Sequence, residues 1–218
     1  MNAVPWIVGK DFKGPTCAIC HNSLVVSPSG DVLANRTHDF GSRLWVRLFG
    51  LIYSHAQPRS GDTTVIQNKD GLPLPTTFSG IPAAAFLIDK SEQERRQQSM
   101  KKVCNGCHNR DWINGHFAKL VNTVQETDAM TLATTTLMME AWNKGLADKS
   151  NPFDEPLEQR WTRQWLFYAN SVRYASAMTG APDYTAFKNG WWEMSNNLVE
   201  MKEMIDLKAA VKKKKAGR

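Results

Sequence analysis

The four cysteines of this 218-residue chain constrain its structure more than any other sequence feature. All four fall in two copies of one five-residue pattern, in which two cysteines are separated by two residues and a histidine follows directly. The copies are Cys17-Ala18-Ile19-Cys20-His21 and Cys104-Asn105-Gly106-Cys107-His108. This pattern is the attachment signature of c-type haem.

The spacing inside each motif has a chemical reason. Two thiols separated by two residues reach the two vinyl groups of one porphyrin, and the adjacent histidine ligates the iron from the same side. A four-cysteine zinc site normally has its pairs about 15 to 20 residues apart, whereas about 80 residues separate Cys20 from Cys104. A redox dithiol would need a βαβ setting, which neither motif has. The sequence therefore predicts two covalently bound haem c groups, with His21 and His108 as the proximal iron ligands.

Three other histidines, His38, His55 and His116, are candidates for the opposite face of each iron. His116 follows His108 by eight residues, about 12 Å along a helix, which is too local for the two to clamp one porphyrin. We therefore expect His116 to serve the haem of His21, and His38 to serve the haem of His108. His55 is the alternative ligand, and one of the nine methionines could also occupy an axial position.

Axial ligation decides the class of chemistry. An iron with two protein ligands has no open position for a substrate and acts as an electron relay. An iron with only its proximal histidine binds small nitrogen or oxygen species and could be catalytic. The sequence leaves both classes open.

The net charge of +6 comes from one end of the chain. Six basic residues and no acidic ones occupy positions 208–218, where we expect a solvated, disordered tail, and the remaining basic and acidic residues are equal in number. No zinc-finger, RNA-recognition or basic-helix pattern accompanies this tail, so we predict no nucleic-acid partner. No run of about 18 apolar residues occurs, so we predict no membrane span and a soluble protein.

The first six residues lack the charged and apolar regions of a secretory signal. Haem c is nevertheless attached outside the cytoplasm. We therefore expect an extracytoplasmic location and a numbering that begins at a mature or trimmed end.

Periodicity predicts a mainly α fold, with an irregular N-terminal haem-binding segment and three long C-terminal helices in one integrated domain. Residues 1–90 form the loop-rich segment with the first haem, residues 91–207 the helical segment with the second, and residues 208–218 the basic tail. Helices are predicted at 39–52, 92–103, 117–146 and 155–178, and a last one begins near residue 182.

Apolar residues of the last predicted helix alternate by four and three, which is the pattern of a coiled-coil seam. The seam positions are Phe187, Trp191, Met194, Leu198, Met201 and Ile205. This pattern fits packing within the chain and packing against another subunit equally well.

Several short stretches resemble a known family. They are Pro15 to His21, Thr37-His38-Asp39, Met100 to Val103, Asn114 to Phe117 and Ala181 to Tyr184. In this order, from about residue 14 to about residue 207, they are similar to the C-terminal part of the octahaem hydroxylamine oxidoreductase and hydrazine dehydrogenase family. The resemblance implies a helical multihaem fold, bis-histidine relays, oligomers built on long C-terminal helices, and bacterial nitrogen metabolism such as ammonium oxidation or anammox. It also implies that His38 and His116 occupy distal-ligand positions.

The chain departs from that family in one large respect. Six of the family's eight attachment motifs are absent, including the one for the catalytic haem, so we do not expect this chain alone to perform the family's reaction. The tyrosine that links subunits in the family matches Tyr184, which is therefore a candidate inter-subunit contact.

The resulting prediction is a dihaem c-type cytochrome that transfers electrons as a small subunit or redox partner of a larger multihaem oxidoreductase. Its compartment would be the periplasm or, in an anammox bacterium, the anammoxosome. The alternative is a C-terminal fragment of an octahaem oxidoreductase, or a small related enzyme with one open haem. A third prediction is an assembly subunit whose haems are redox-silent.

Overall fold

The structure is a computed structural model that describes residues 6–7, 10, 17–43, 47–48, 51–52, 68–72, 77, 81, 90–151, 153–177 and 187–217. The chain divides into two compact units, residues 1–48 with 52–118 and residues 49–51 with 119–218. Most of the described residues lie in helices, so the predicted mainly α fold is confirmed. The predicted segments 1–90, 91–207 and 208–218 stay a prediction.

Short strands and helices alternate in the N-terminal part of the chain. They are β1 (Trp6–Ile7), α1 (Cys17–His21), β2 (Val25–Val26), β3 (Val32–Ala34), a 3-10 helix (Phe40–Arg43), β4 (Arg47–Leu48) and β5 (Leu51–Ile52). Strand β2 pairs in parallel with β1 and antiparallel with β3. The turn between β2 and β3 contains Gly30 at a φ of +92°, a left-handed conformation that glycine adopts without steric cost.

Two helices follow, α2 (Lys90–Asn105) and α3 (Arg110–Asn143), and they confirm the helices predicted at 92–103 and 117–146. Helix α3 begins seven residues earlier than predicted, because Asn109 caps it. The side-chain Oδ1 of Asn109 accepts a hydrogen bond from the backbone N–H of Trp112 at 2.9 Å, which satisfies one of the free amides of the first turn. Asn114 and Gly115 continue the helix without a break.

The end of α3 is closed by glycine and by lysine side chains. Gly145 has a φ of +60°, and the amide of Leu146 donates to the carbonyl oxygen of Ala141 at 2.9 Å. The Nζ of Lys208 donates to the carbonyl oxygen of Leu146 at 2.9 Å, and the Nζ of Lys212 donates to that of Lys144 at 2.7 Å. The cationic side chains therefore satisfy carbonyl groups at the negative end of the helix.

The C-terminal unit continues with further helices. They are α4 (Pro156–Thr162), a π-helical stretch (Arg163–Tyr168), α5 (Ala169–Ala177), a second π-helical stretch (Phe187–Trp192) and α6 (Glu193–Ala216). The continuous run from Pro156 to Ala177 confirms the helix predicted at 155–178. No helix within the described ranges is both long and apolar enough to cross a membrane.

The predicted seam of the last helix packs within the chain. Met194 and Met201 have no exposed surface, and Ile205 is 2% exposed, although only this one chain is present. Met194 packs against Ala169 and Val172 of α5. Burial of this apolar stripe is the main force that holds α6 to its own unit.

Two buried tryptophans of this unit donate hydrogen bonds to polar side chains. The indole N–H of Trp142 donates to Glu158 at 2.6 Å, and that of Trp161 donates to the hydroxyl of Thr135 at 2.8 Å. Burial raises the pKa of Glu158, while the hydrogen bond from Trp142 acts in the opposite direction. Such pairing offsets the cost of removing polar groups from water.

Two sequence predictions need correction. The helix predicted at 39–52 is wrong for its described residues, which form a short 3-10 helix and strands β4 and β5. Two glycines at positions 41 and 50 weaken helix propensity there, and the side chain of Arg43 bonds to backbone carbonyls of other segments. The C-terminal tail is helical to Ala216 rather than disordered, since Lys208 and Lys212 are held by the carbonyl groups that end α3.

We predict that Gly190→Ala destabilises the C-terminal unit. A Cβ atom at Gly190 would lie 2.6 Å from Cγ2 and 3.3 Å from the backbone nitrogen of Val172, so the helices would have to separate. Overpacking of this kind lowers the free energy of unfolding by about 1–3 kcal/mol, which urea unfolding monitored by circular dichroism measures.

The matched control is the double variant Gly190→Ala with Val172→Ala, which removes the clashing methyl group. Its loss of stability should be smaller than the sum of the two single losses. Additive losses, or no loss in Gly190→Ala, would contradict this packing.

Candidate haem-binding site

The first motif is the short helix α1. Its last turn is closed by the amides of Asn22 and Ser23, which both donate to the carbonyl oxygen of Ala18 at 2.8 Å. His21 is only 6% exposed and Cys20 is half-buried. Cys17 and Cys20 are three positions apart on α1, which is about one helical turn.

A buried arginine holds this motif in place. The two terminal nitrogens of Arg43 donate to four carbonyl oxygens, those of Ile19 (3.1 Å), Cys20 (3.0 Å), Ser23 (2.6 Å) and Asn35 (2.5 Å). The side chain is 4% exposed, and burial lowers the pKa of Arg43, an effect that the nearby Cys20 thiol counters. Sequence reasoning missed this residue, because it lay inside a stretch predicted to be helical.

The second motif begins on the last turn of α2 and continues into the turn before α3. The amides of Cys107 and His108 both bond to the carbonyl oxygen of Cys104, at 3.0 and 2.9 Å. Cys104 is half-buried, whereas Cys107 and His108 are exposed. This motif is therefore helical only at its first two residues, and it is more open to solvent than the first motif.

One hydrophobic cluster joins the two motifs. Ile19 from the first motif packs with Val25, Ala34 and Val103, the residue directly before the second motif. Cys20 lies against the same cluster. Burial raises the pKa of the free Cys104 thiol to about 11, and the nearby Cys20 acts in the same direction.

The last residue of the second motif, His108, begins a series of ring contacts that continues into α3. The imidazole of His108 stacks on the indole of Trp112, with ring centroids 3.5 Å apart and planes inclined by 8°. The indole of Trp112 also stacks with the imidazole of His116, with ring centroids 5.2 Å apart and planes inclined by 3°. His116 also meets the edge of Phe117. Both imidazoles thus contact the indole of Trp112.

The remaining predicted ligands are distributed as follows. His38 is exposed, and the residue before it, Thr37, donates its amide to the carbonyl oxygen of Asn22 at 2.9 Å, so its segment runs beside the first motif. His116 is half-buried. His55 and Tyr184 lie outside the described residues. The distal assignments of His38 and His116 stay predictions.

The described residues fit haem c. In the second motif, Cys104 and Cys107 are one helical turn apart and His108 is exposed next to them, which leaves space for a porphyrin on that side. In the first motif the imidazole of His21 is buried, so the fit to haem rests there on the cysteine and histidine spacing.

Comparison with known proteins gives one clear likeness. Neither a family model nor a curated protein matches the chain. The chain is similar to a solved structure described as "Hypothetical multiheme protein", with a TM-score of 0.75 and 35% sequence identity. The match covers 95% of this chain and 47% of the other, so this chain spans about half the length of that protein. The likeness confirms the predicted multihaem-cytochrome-like fold, but its description does not name the hydroxylamine oxidoreductase family.

We predict that Arg43→Met destabilises the first motif strongly. Without the guanidinium, carbonyl groups of four residues lose their donor, and an unmet buried acceptor costs on the order of 1–3 kcal/mol. The stability of Arg43→Lys should lie between that of Arg43→Met and that of the unchanged protein, because one ammonium group cannot reach four oxygens. Urea unfolding and the haem content per chain measure the effect.

Arg163→Met is the matched control, since Arg163 is an exposed arginine of the other unit. Its stability should stay within about 0.5 kcal/mol of the unchanged protein. If Arg43→Met unfolded at the same urea concentration as Arg163→Met, the role given to Arg43 would be wrong.

Proposed function

We propose that this chain is a c-type cytochrome that holds two covalent haems and transfers electrons. The observation that carries the proposal is the shared cluster of Ile19, Val25, Ala34 and Val103, which packs the two attachment motifs side by side. Electron transfer slows steeply with distance, so two redox centres attached at adjoining points of one compact unit suit an electron relay.

The chain's own residues would act as follows. His21 and His108 ligate the irons as proximal ligands, and His38 and His116, with His55 as the alternative, supply the distal nitrogens. Bound haem supplies a one-electron couple at its iron. Because His21 is buried and His108 is exposed, the protein surrounds the two centres unequally, and we expect two distinct reduction potentials.

The similar solved structure supports the multihaem part of this proposal through its description as a multihaem protein. That protein is about twice as long as this chain. Its length supports an arrangement in which this chain works together with a second multihaem protein. We therefore propose that this chain is a small subunit or redox partner of a larger multihaem oxidoreductase outside the cytoplasm. The resemblance of its motifs to the hydroxylamine oxidoreductase family favours nitrogen metabolism.

The second candidate function is that of an enzyme part. The 47% coverage favours a chain that corresponds to one half of a longer multihaem protein. In the enzyme version of this proposal, one iron is open to substrate. Ligation separates the two candidates, because a relay has two closed irons and an enzyme has one open iron.

We expect the mass of the purified protein to exceed that of the bare chain by two haems. The variant in which Cys104 and Cys107 are both serine should carry one haem, since the first motif is untouched. A mass equal to the bare chain would contradict the proposal.

Electron paramagnetic resonance (EPR) then decides between relay and enzyme. The relay predicts two low-spin ferric signals that do not change on adding nitrite, hydroxylamine or carbon monoxide, because no coordination position is open. A high-spin signal that shifts with those ligands would make the enzyme the better description.

A further inference from the structure

The rings of His108, Trp112 and His116 form a column of nearly parallel planes. Packing of a surface tryptophan on its helix does not require such an arrangement. His108 lies in the turn directly before α3, and Trp112 and His116 lie on α3, so each ring comes four positions after the one before it. The indole plane of Trp112 is inclined by 8° to the imidazole of His108 and by 3° to that of His116, with ring centroids 3.5 Å and 5.2 Å apart. A tryptophan that only covered its helix would have no reason to lie parallel to both neighbours.

The backbone under this column is fixed from two sides. Asn109 caps the helix through the amide of Trp112, so the indole is attached at a defined first turn. Ile113 and Phe117, at 4% and 6% exposure, are buried by the unit and stop α3 from rotating. Trp112 is 43% exposed, so its side chain contributes little to the hydrophobic core. Its main contacts are with the rings of His108 and His116.

We propose that Trp112 is a positioning residue that fixes the planes of both histidine imidazoles. This inference rests on the proposed function, in which His108 and His116 ligate the irons of two different haems. Stacking on the indole restricts rotation of each imidazole about its Cβ–Cγ bond. One side chain then sets the ligand orientation at both centres.

Imidazole orientation has a direct electronic consequence. In low-spin ferric haem, the plane of the axial imidazole selects the d orbital that holds the unpaired electron, and so sets the g values of the EPR spectrum. A ring free to rotate gives shifted and broadened g values. The g values therefore report on the orientation itself, which a purely structural role of Trp112 would leave unchanged.

The test compares four variants of the full haem-loaded chain by EPR at low temperature. Trp112→Leu and Trp112→Gln remove the ring, Trp112→Phe keeps a ring, and Trp192→Leu removes an exposed tryptophan of the other unit. We expect both low-spin signals to shift and broaden in Trp112→Leu and Trp112→Gln. Trp112→Phe should stay close to the unchanged protein, and Trp192→Leu should be identical to it.

Unchanged g values in the ring-less variants would overturn the proposal, and so would a shift in only one of the two signals or an equal shift in Trp192→Leu. Trp112→Gln keeps the test decisive if Trp112→Leu fails to fold. Haem content is measured by mass on the same samples. A protein without haem would contradict the proposed function, whereas two haems with unshifted signals would contradict only the role of Trp112.

Discussion

The packing of Val103 against Ile19, Val25 and Ala34 is the contact on which the rest of the candidate site depends. These residues come from segments about 80 positions apart in the chain, so closing the intervening loop costs conformational entropy that apolar burial must offset. Arg43 also stabilises this region, because its side chain donates hydrogen bonds to carbonyl groups of the first motif and of Asn35. Because of this contact, two motifs that are remote in sequence lie side by side.

The two motifs differ in how the protein encloses them. His21 is buried, while Cys107, His108 and much of Trp112 face solvent. In a protein that exchanges electrons with a partner, the open motif is the natural point of exchange, and the enclosed motif is shielded from water. The same unit thus contains one exposed motif and one enclosed motif.

The sequence predicted the features that rest on local patterns. Helices α2 to α6 follow from apolar periodicity, including the buried seam positions Met194 and Met201. Haem attachment at the two cysteine motifs stays a prediction from their spacing. The sequence could not predict what depends on distant contacts. The stretch containing Arg43 looked helical, but the Arg43 side chain donates to backbone carbonyl groups of other segments. The cap at Asn109 was also missed. The four-residue spacing of His108, Trp112 and His116 was visible, yet only the structure shows that the rings are parallel.

The central claim is that the two motifs hold two haems close together. Circular dichroism in the Soret region tests it most directly, because two nearby porphyrins couple their transitions and give a pair of bands of opposite sign. The account predicts such a couplet in the unchanged protein, and a single band when the second motif carries serines in place of Cys104 and Cys107. A single-signed band in the unchanged protein, with two haems bound, would contradict the account.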